Sequence, residues 1–568
     1  MSNKNSTPPE STNTKLKVGL IVDSEFVSKY VSELAEWGQT QNDLLISHLL
    51  IQKTEHPQPG KIGNGILSSE KKGFLNLIRL ILFALITKVE NFRMRGDKHY
   101  KNHLKLFNLK KIVAESITIT PLISKTGFDY QYSVEDIQKV KDLDFDVLIL
   151  CCSERLGSEL LQSSRFGVIS FQHADNRINR GGPPGFWEVY FKQDNTGFII
   201  QQLTDTLDGW NVLIRERFTT RAYFLLNQAA LYTKGNFRLK QLLLDIATTR
   251  ALPAAIDSQP YFNPLFEMPN LIEQLKYISH IGFTISFNGI RRFLLNRDHR
   301  WGVAFMNGDW KSLDMWRANK IQNPPNHFLA DPFVIREGNR EYCFVEDFDY
   351  MRRRACICVY KLKGTSAERL GEAIVEPFHM SFPYLFRFDS KIYMCPETAD
   401  NNDIRLYECV KFPLEWKLSK VLMSNVSAVD TMIFERDGVW WLFTNIDYAN
   451  SGIYGSELFV FYSDSPLREE WHSHPKSPIA FDSAQGRNAG IVFDDKWIYR
   501  VSQKQGFNSY GKGLSINKIT VLNKAEYLET EVCSVEPQCF PKFYGCHHLH
   551  SNGNVSVFDY LRFGRIDC

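Results

Sequence analysis

Between Gly167 and Phe191 the chain reads GVISFQHADNRINRGGPPGFWEVYF, which sets Ser170, Gln172, His173, Asp175, Asn176 and the pair Arg180-Gly181 at or just beyond an apolar strand pattern. A segment made only to pack needs few of these groups. Downstream, TGFIIQQL from Thr196 repeats the apolar pattern and leads to Leu207-Asp208-Gly209 in a turn. His173 after one strand and Asp208 after the next can meet across a sheet edge. There a carboxylate orients and charges an imidazole, which takes a proton from an attacking amine. Ser170 or Gln172 would hold the developing oxyanion, and Asp175, Asn176, Arg180 and Gly181 are expected to line the substrate side.

A second polar set recurs in the other half. The segments ADPFVIREGNREYCFVEDF, FPYLFRFDSKIYMCPETA, SAVDTMIFERDGVWWLFTNI, RNAGIVFDDKWIYRVSQ and GCHHLHSNGNVSVFDYL each read as strand, polar turn, aromatic strand. Five units of this kind predict a propeller whose sheets surround a central funnel. Asp331, Glu346, Glu397, Asp430, Arg487 and His547 then converge from the strand ends, where charged groups can bond sugar hydroxyls while rings stack on sugar faces. A turn-capping role for the individual acids stays open beside this one.

The elements that must position the first set alternate. KVGLIV, LLISHLLIQ, ITITPLI, DVLIL and GVISF are strand-like, and helical patterns stand near 25–37 and 134–143. Such alternation predicts a mostly parallel, Rossmann-type α/β sheet with its ligand site beyond the carboxyl ends of the strands. At 568 residues the chain is too long for one ordinary core. The expected layout is a polar tail over 1–15, an α/β domain over 16–250 with a basic helical insert near 70–110, a connector over 251–300 and an all-β five-bladed propeller over 301–568.

Composition narrows the partners. With 67 Lys and Arg against 64 Asp and Glu, the net charge of +3 gives no case for nucleic acid. The 41 Phe, 23 Tyr and 11 Trp suit β-sheet cores and sugar-stacking surfaces. Eleven cysteines without a C-x-x-C pair predict reduced thiols and no metal site. The polar amino terminus lacks the apolar core of a secretory signal, so a cytoplasmic location is expected. Residues 71–105 carry an apolar run too short to span a bilayer, followed by Arg93, Arg95, Lys98, Lys101 and Lys105. Two readings stand for it: a helix packed on its own domain, or an interfacial helix in peripheral contact with a membrane.

The order strand-His-Arg-Gly, Thr-Gly-strand, Leu-Asp-Gly over about residues 16–250 resembles the formyltransferase family of methionyl-tRNA and sugar N-formyltransferases. The resemblance implies His173 and Asp208 as catalytic residues, 10-formyltetrahydrofolate as donor and a nucleotide-amino sugar or glycan as acceptor. The family's asparagine is not matched, since Phe171 stands two residues before His173. The second half resembles arabinanase-like five-bladed propellers and, more closely, the N-terminal region of plant glucosamine inositolphosphorylceramide transferases. The leading expectation is a transferase that places a formyl or related one-carbon acyl group on an amino sugar in surface-polysaccharide assembly, with the propeller binding carbohydrate. Its rival is a propeller glycosidase using Asp331, Glu397 and Asp430, or a glycan-binding partner of a glycosyltransferase, with a degenerate first domain.

Overall fold

The computed structural model describes residues 15–53, 74–123, 129–152, 155–173, 175, 178–204, 211–256, 264–293, 297–468, 470–536 and 543–565. The chain divides into two compact units. The first comprises 1–187, 196–216 and 223–274; the second comprises 188–195, 217–222 and 275–568.

The first unit is built on a seven-stranded sheet. Its strands are β1 (Leu16–Val22), β2 (Leu44–Gln52), β3 (Ser116–Ile119), β4 (Val147–Leu150), β5 (Val168–Gln172), β6 (Asn195–Gln202) and β7 (Asn211–Thr219). They lie in the order β7-β6-β5-β4-β1-β2-β3. The five strands from β5 to β3 run parallel, while β6 is antiparallel to β5. The apolar runs of β1 and β4 are buried throughout, as parallel strands covered on both faces require. One face packs under α1 (Lys29–Gln39) and the long helix Phe224–Thr249, whose Leu239, Leu242, Leu243 and Ile246 meet Leu16, Val18 and Leu20. The other face packs under the helix Val134–Lys141, which Ser133 caps by accepting from Asp136 N at 3.1 Å. The expected α/β sheet is present. That it is a formyltransferase domain is not shown.

The second unit contains five antiparallel sheets arranged as the blades of a propeller. Blade 1 opens with His327–Glu337, blade 2 with Ser381–Phe388, blade 3 with Ala428–Arg436 and blade 4 with Asn488–Phe493. Blade 5 joins distant parts of the chain. Arg297–Asn307 pairs antiparallel with Val555–Arg565 over its whole length, and Phe543–Gly545 and Leu549–Ser551 add on the other side of Val555–Arg565.

The innermost strand of every blade is interrupted. Two residues oppose one at Asp331-Pro332, Phe382-Pro383, Asp430-Thr431 and Ala489-Gly490. Each bulge holds one residue in the left-handed region, with φ of 48° at Asp331, 45° at Phe382, 52° at Asp430 and 115° at Gly490. In blade 5 the three residues Cys546-His547-His548 take the place of two. A bulge re-aims side chains and frees ladder groups, and these breaks are where the candidate polar residues sit. Left-handed backbone at a non-glycine residue is held only when its surroundings dictate it. At blade 4 glycine is needed for space as well, since a Cβ on Gly490 would come within 2.2 Å of the Leu549 carbonyl oxygen.

Candidate functional site

At the α/β strand end only the histidine of the expected acid–base pair falls among the described residues. His173 directly follows β5, and its ring is wedged edge-on between Phe171 (4.6 Å between centroids) and Tyr232 (4.4 Å). Burial lowers its imidazole to about 3, so it is neutral near neutral pH. Ser170 is not at a strand end: it is buried mid-sheet, opposite Leu150 and Gln201. Gln172 ends the strand, half-buried. Asp175 is also buried, 3.6 Å from the Arg215 guanidinium, so it serves an internal ion pair rather than an open substrate face. Arg180-Gly181 pairs as a short parallel strand with Leu265-Phe266. Gly181 has φ of 100°, and a Cβ there would sit 1.9 Å from the Phe266 carbonyl oxygen. The glycine is thus required by a backbone crossing. Asn176 and Asp208 lie outside the described residues.

The propeller gathers the second set around one cavity of about 270 Å³. Asp331 and Glu346 reach it from blade 1, Glu397 from the second strand of blade 2, Arg487 from the entry to blade 4 and His547 from blade 5. Trp301, Phe328, Phe348 and Tyr510 supply aromatic walls, with His379 between. The volume falls just under the roughly 300–1,000 Å³ of typical small-molecule pockets, which suits one sugar-sized group. Of the expected residues only Asp430 is missing from the wall. It is buried behind Arg487, whose Nε donates to its Oδ2 at 2.6 Å. The guanidinium also lies 4.8 Å from the Tyr510 ring centroid, so carboxylate and ring fix it in place.

His547 is the hinge of the charge pattern. Its Nε2 stands 3.1 Å from Asp331 Oδ1 and its Nδ1 2.9 Å from Asp559 Oδ2. The other oxygen of Asp559 accepts the backbone N–H groups of His547 (2.8 Å) and His548 (3.0 Å), satisfying donors that the strand break frees. Burial would lower the imidazole, but Asp559 and Asp331 lift it to about 10. Burial would likewise raise Asp331, but His547 brings that carboxyl down to about 2. An imidazolium thus lies between two carboxylates. The same three side chains could also ligate one cation, since their donor atoms lie within 4.8 Å of one another.

The remaining acids are in the opposite state. Burial, with Asp430 and Asp331 nearby, raises Glu397 to about 8 even against the pull of Arg487. Glu346 is driven well above the ordinary range by burial and by Asp331. Its neighbour His379, at 3.6 Å, is itself lowered by burial. Two carboxyls that hold their protons more tightly than usual therefore face the cavity beside one ionised aspartate.

Sequence reasoning missed Trp301, Phe328, Phe348, His379, Tyr510 and Asp559. Strand-like aromatic segments contain the rings, but nothing in them marks which face turns inward.

Residues 316–539 match the family model described as glucosamine inositolphosphorylceramide transferase 1, N-terminal. The chain is 39% identical over 213 residues to glucosamine inositolphosphorylceramide transferase 1 of Arabidopsis thaliana, covering 37% of this chain and 28% of the relative. It is 36% identical over 214 residues to the protein of the same name from Oryza sativa subsp. japonica, with the same coverage. The chain thus spans less than a third of the length of these curated relatives. Among solved structures, a family 117 glycoside hydrolase of Zobellia galactanivorans overlays with a TM-score of 0.32 at 11% identity, covering 46% of this chain and 90% of that one. The Bacillus subtilis arabinanase Arb43A overlays with 0.30 at 11% identity, covering 41% and 94%. These relatives carry the name of a glucosamine inositolphosphorylceramide transferase, not of a formyltransferase, and the expectation of a formyltransferase is corrected on that finding. The donor it implied, 10-formyltetrahydrofolate, loses the reaction that asked for it. What the comparisons support is a likeness, over residues 316–539, to the amino-terminal region of glucosamine inositolphosphorylceramide transferase 1.

Proposed function

We propose that the propeller funnel is a carbohydrate site that takes an amino-sugar unit of a glycan or glycolipid. One observation carries the reading: Asp331, Glu346, Glu397, Arg487 and His547 meet four aromatic side chains around a single sugar-sized cavity. Rings stack on the apolar faces of a pyranose while charged groups bond its hydroxyls. The carboxyl surplus favours a cationic sugar. Arg487 is taken up by Asp430, and His547 is shared by Asp331 and Asp559. Glu346 and Glu397 then have burial against their charge, and a ligand ammonium placed between them would let them ionise. The name of the curated relatives includes glucosamine, which is in keeping with this chemistry.

The test is calorimetric titration of the whole chain with glucosamine, N-acetylglucosamine and glucose, in buffers of different ionisation enthalpy. Glucosamine is expected to bind at least about tenfold tighter than glucose and to release protons on binding. If none of the three sugars binds, the reading fails.

A second reading is favoured by the contrast between two carboxyls on the same cavity. Glu397 keeps its proton to about 8, while Asp331 is ionised down to about 2. Groups whose environments push their pKa values apart are an acid and a base, and making or breaking a glycosidic bond uses such a pair. Incubation with aryl glycosides, with and without an acceptor sugar, tests it; catalysis by the native chain that Glu397→Gln and Asp331→Asn both abolish is the expected result.

A further inference from the structure

The helix Phe74–Met94 of the first unit, α2, is turned inside out. An ordinary surface helix hides its apolar stripe and shows its charges. Here Ile86, Glu90 and Met94 are the buried residues, and Glu90 is used internally, accepting the Leu225 backbone N–H at 2.9 Å. The same face carries Phe83, whose ring meets Phe186 and Phe224, and Arg79, whose carbonyl accepts from Gln274 at 3.1 Å. The opposite face carries Phe74, Leu77, Ile81, Leu85, Val89 and Phe92, each between 54 and 77% exposed. At 100° per residue these six fall within about 120° of arc and make one unbroken stripe roughly 30 Å long. Monomeric proteins rarely expose a contiguous apolar patch of this extent without a partner for it.

The surrounding charge selects the partner. Lys88, Arg93, Arg95, Lys98, Lys101 and Lys105 are all exposed on or just beyond the carboxyl-terminal half of the helix. The only acids between 74 and 105 are Glu90, which points inward, and Asp97, which accepts the His99 backbone N–H at 2.8 Å. A two-fold contact with a second copy would set this basic rim either against itself or, with the helices antiparallel, against an amino-terminal half that carries no acid. An anionic lipid surface answers both features, since headgroups neutralise the rim and the acyl boundary takes up the stripe. No helix among the described residues is long and apolar enough to cross a membrane, so the contact is peripheral. We propose that α2 lies flat on an anionic membrane surface, its Phe74-to-Phe92 stripe sunk into the headgroup boundary and its basic carboxyl-terminal flank against the lipid phosphates.

The experiment is co-sedimentation of the full chain with sucrose-loaded vesicles, either of phosphatidylcholine alone or of phosphatidylcholine mixed with phosphatidylserine. Strong binding to the mixed vesicles is expected, weaker by at least about tenfold on phosphatidylcholine and weakened by salt. Ile81→Glu/Leu85→Glu should remove binding to both; Lys98→Glu/Lys101→Glu should remove only the preference for phosphatidylserine. All four side chains are solvent-facing, and unchanged thermal melting of each variant shows the fold intact. Three outcomes overturn the proposal: no sedimentation with either vesicle, binding that survives Ile81→Glu/Leu85→Glu, or a concentration-dependent dimer in light scattering that this variant dissolves while vesicles are ignored. None of these bears on sugar binding by the propeller, which has its own titration.

Discussion

His547 Nε2 stands 3.1 Å from Asp331 Oδ1, bridging the last blade of the propeller to the first. Because Asp559 holds the other ring nitrogen at 2.9 Å, the imidazole is charged where burial alone would have left it neutral. The pair is at once part of the cavity wall and part of the joint that closes the ring.

The sign of its pH dependence follows. His547 has its folded pKa raised to about 10, so its stabilisation is complete below the unfolded value of roughly 6.5 and is lost as pH rises through 10. Asp331 has its folded pKa lowered to about 2, so its stabilisation is complete above roughly 3.9 and is lost as pH falls through 2. The melting temperature of the propeller should therefore fall between pH 7 and pH 10. His547→Gln should remove most of that fall and cost about 3–5 kcal/mol at neutral pH, the scale of an orphaned buried pair. Thermal scans of both proteins across this range measure it.

Glu397 adds a slope of the same sign as His547 and opposite to that of Asp331, at lower pH. A carboxyl raised to about 8 keeps in the native state a proton that the unfolded chain releases near 4.3, so stability drains away between those values as pH rises. Glu397→Gln should melt like the native chain at pH 5 and above it at pH 9, while losing about tenfold in affinity for glucosamine. A variant more stable yet weaker in binding is the signature of a functional carboxyl, and paired melting and titration curves reveal it.

Arg487 and Asp430 should behave as one unit. Arg487→Gln leaves the buried Asp430 carboxylate without its 2.6 Å partner and is expected to lose about 3–5 kcal/mol in urea unfolding. The double variant with Asp430→Asn should regain much of that loss, and a double-mutant cycle gives the coupling directly.

Trp301 tests the stacking wall. Its ring lies 3.9 Å from that of His547, at the cavity edge. Trp301→Ala should weaken sugar binding about tenfold, near the upper end of what an aromatic contact supplies. Loss of the ligand-induced change in tryptophan fluorescence should accompany it.

The parallel sheet was legible because strands buried on both faces read as unbroken apolar runs, as KVGLIV and DVLIL do. The blades were legible because each repeats the same strand, turn and aromatic strand. The surroundings of His173 were not legible for a physical reason: its neighbour Tyr232 comes from a helix 59 residues on, and no local pattern says whether a strand end opens to solvent or is roofed by rings. Arg180-Gly181 matched a motif, but Gly181 is demanded by the Phe266 carbonyl crossing above it. In the propeller, Asp331, Glu346, Glu397, Arg487 and His547 could be picked out as polar groups in otherwise apolar strands. Trp301, Phe328, Phe348 and Tyr510 could not, because strands alternate faces and aromatic residues are abundant on both. Asp559 lies in the middle of a regular strand, and its role exists only once blade 5 has brought it to His547.

The pairing of Arg297–Asn307 with Val555–Arg565 has a consequence for synthesis. A ribosome adding roughly 5–20 residues per second needs about 12–50 s to travel from one partner to the other. During that interval the first partner waits with an open ladder edge, a template for wrong pairing. Trp301 and His547, which share a cavity in the finished protein, belong to the two sides of this late union. The nascent chain can raise its first four blades one by one, but it has no funnel until the final strand emerges and the circle shuts.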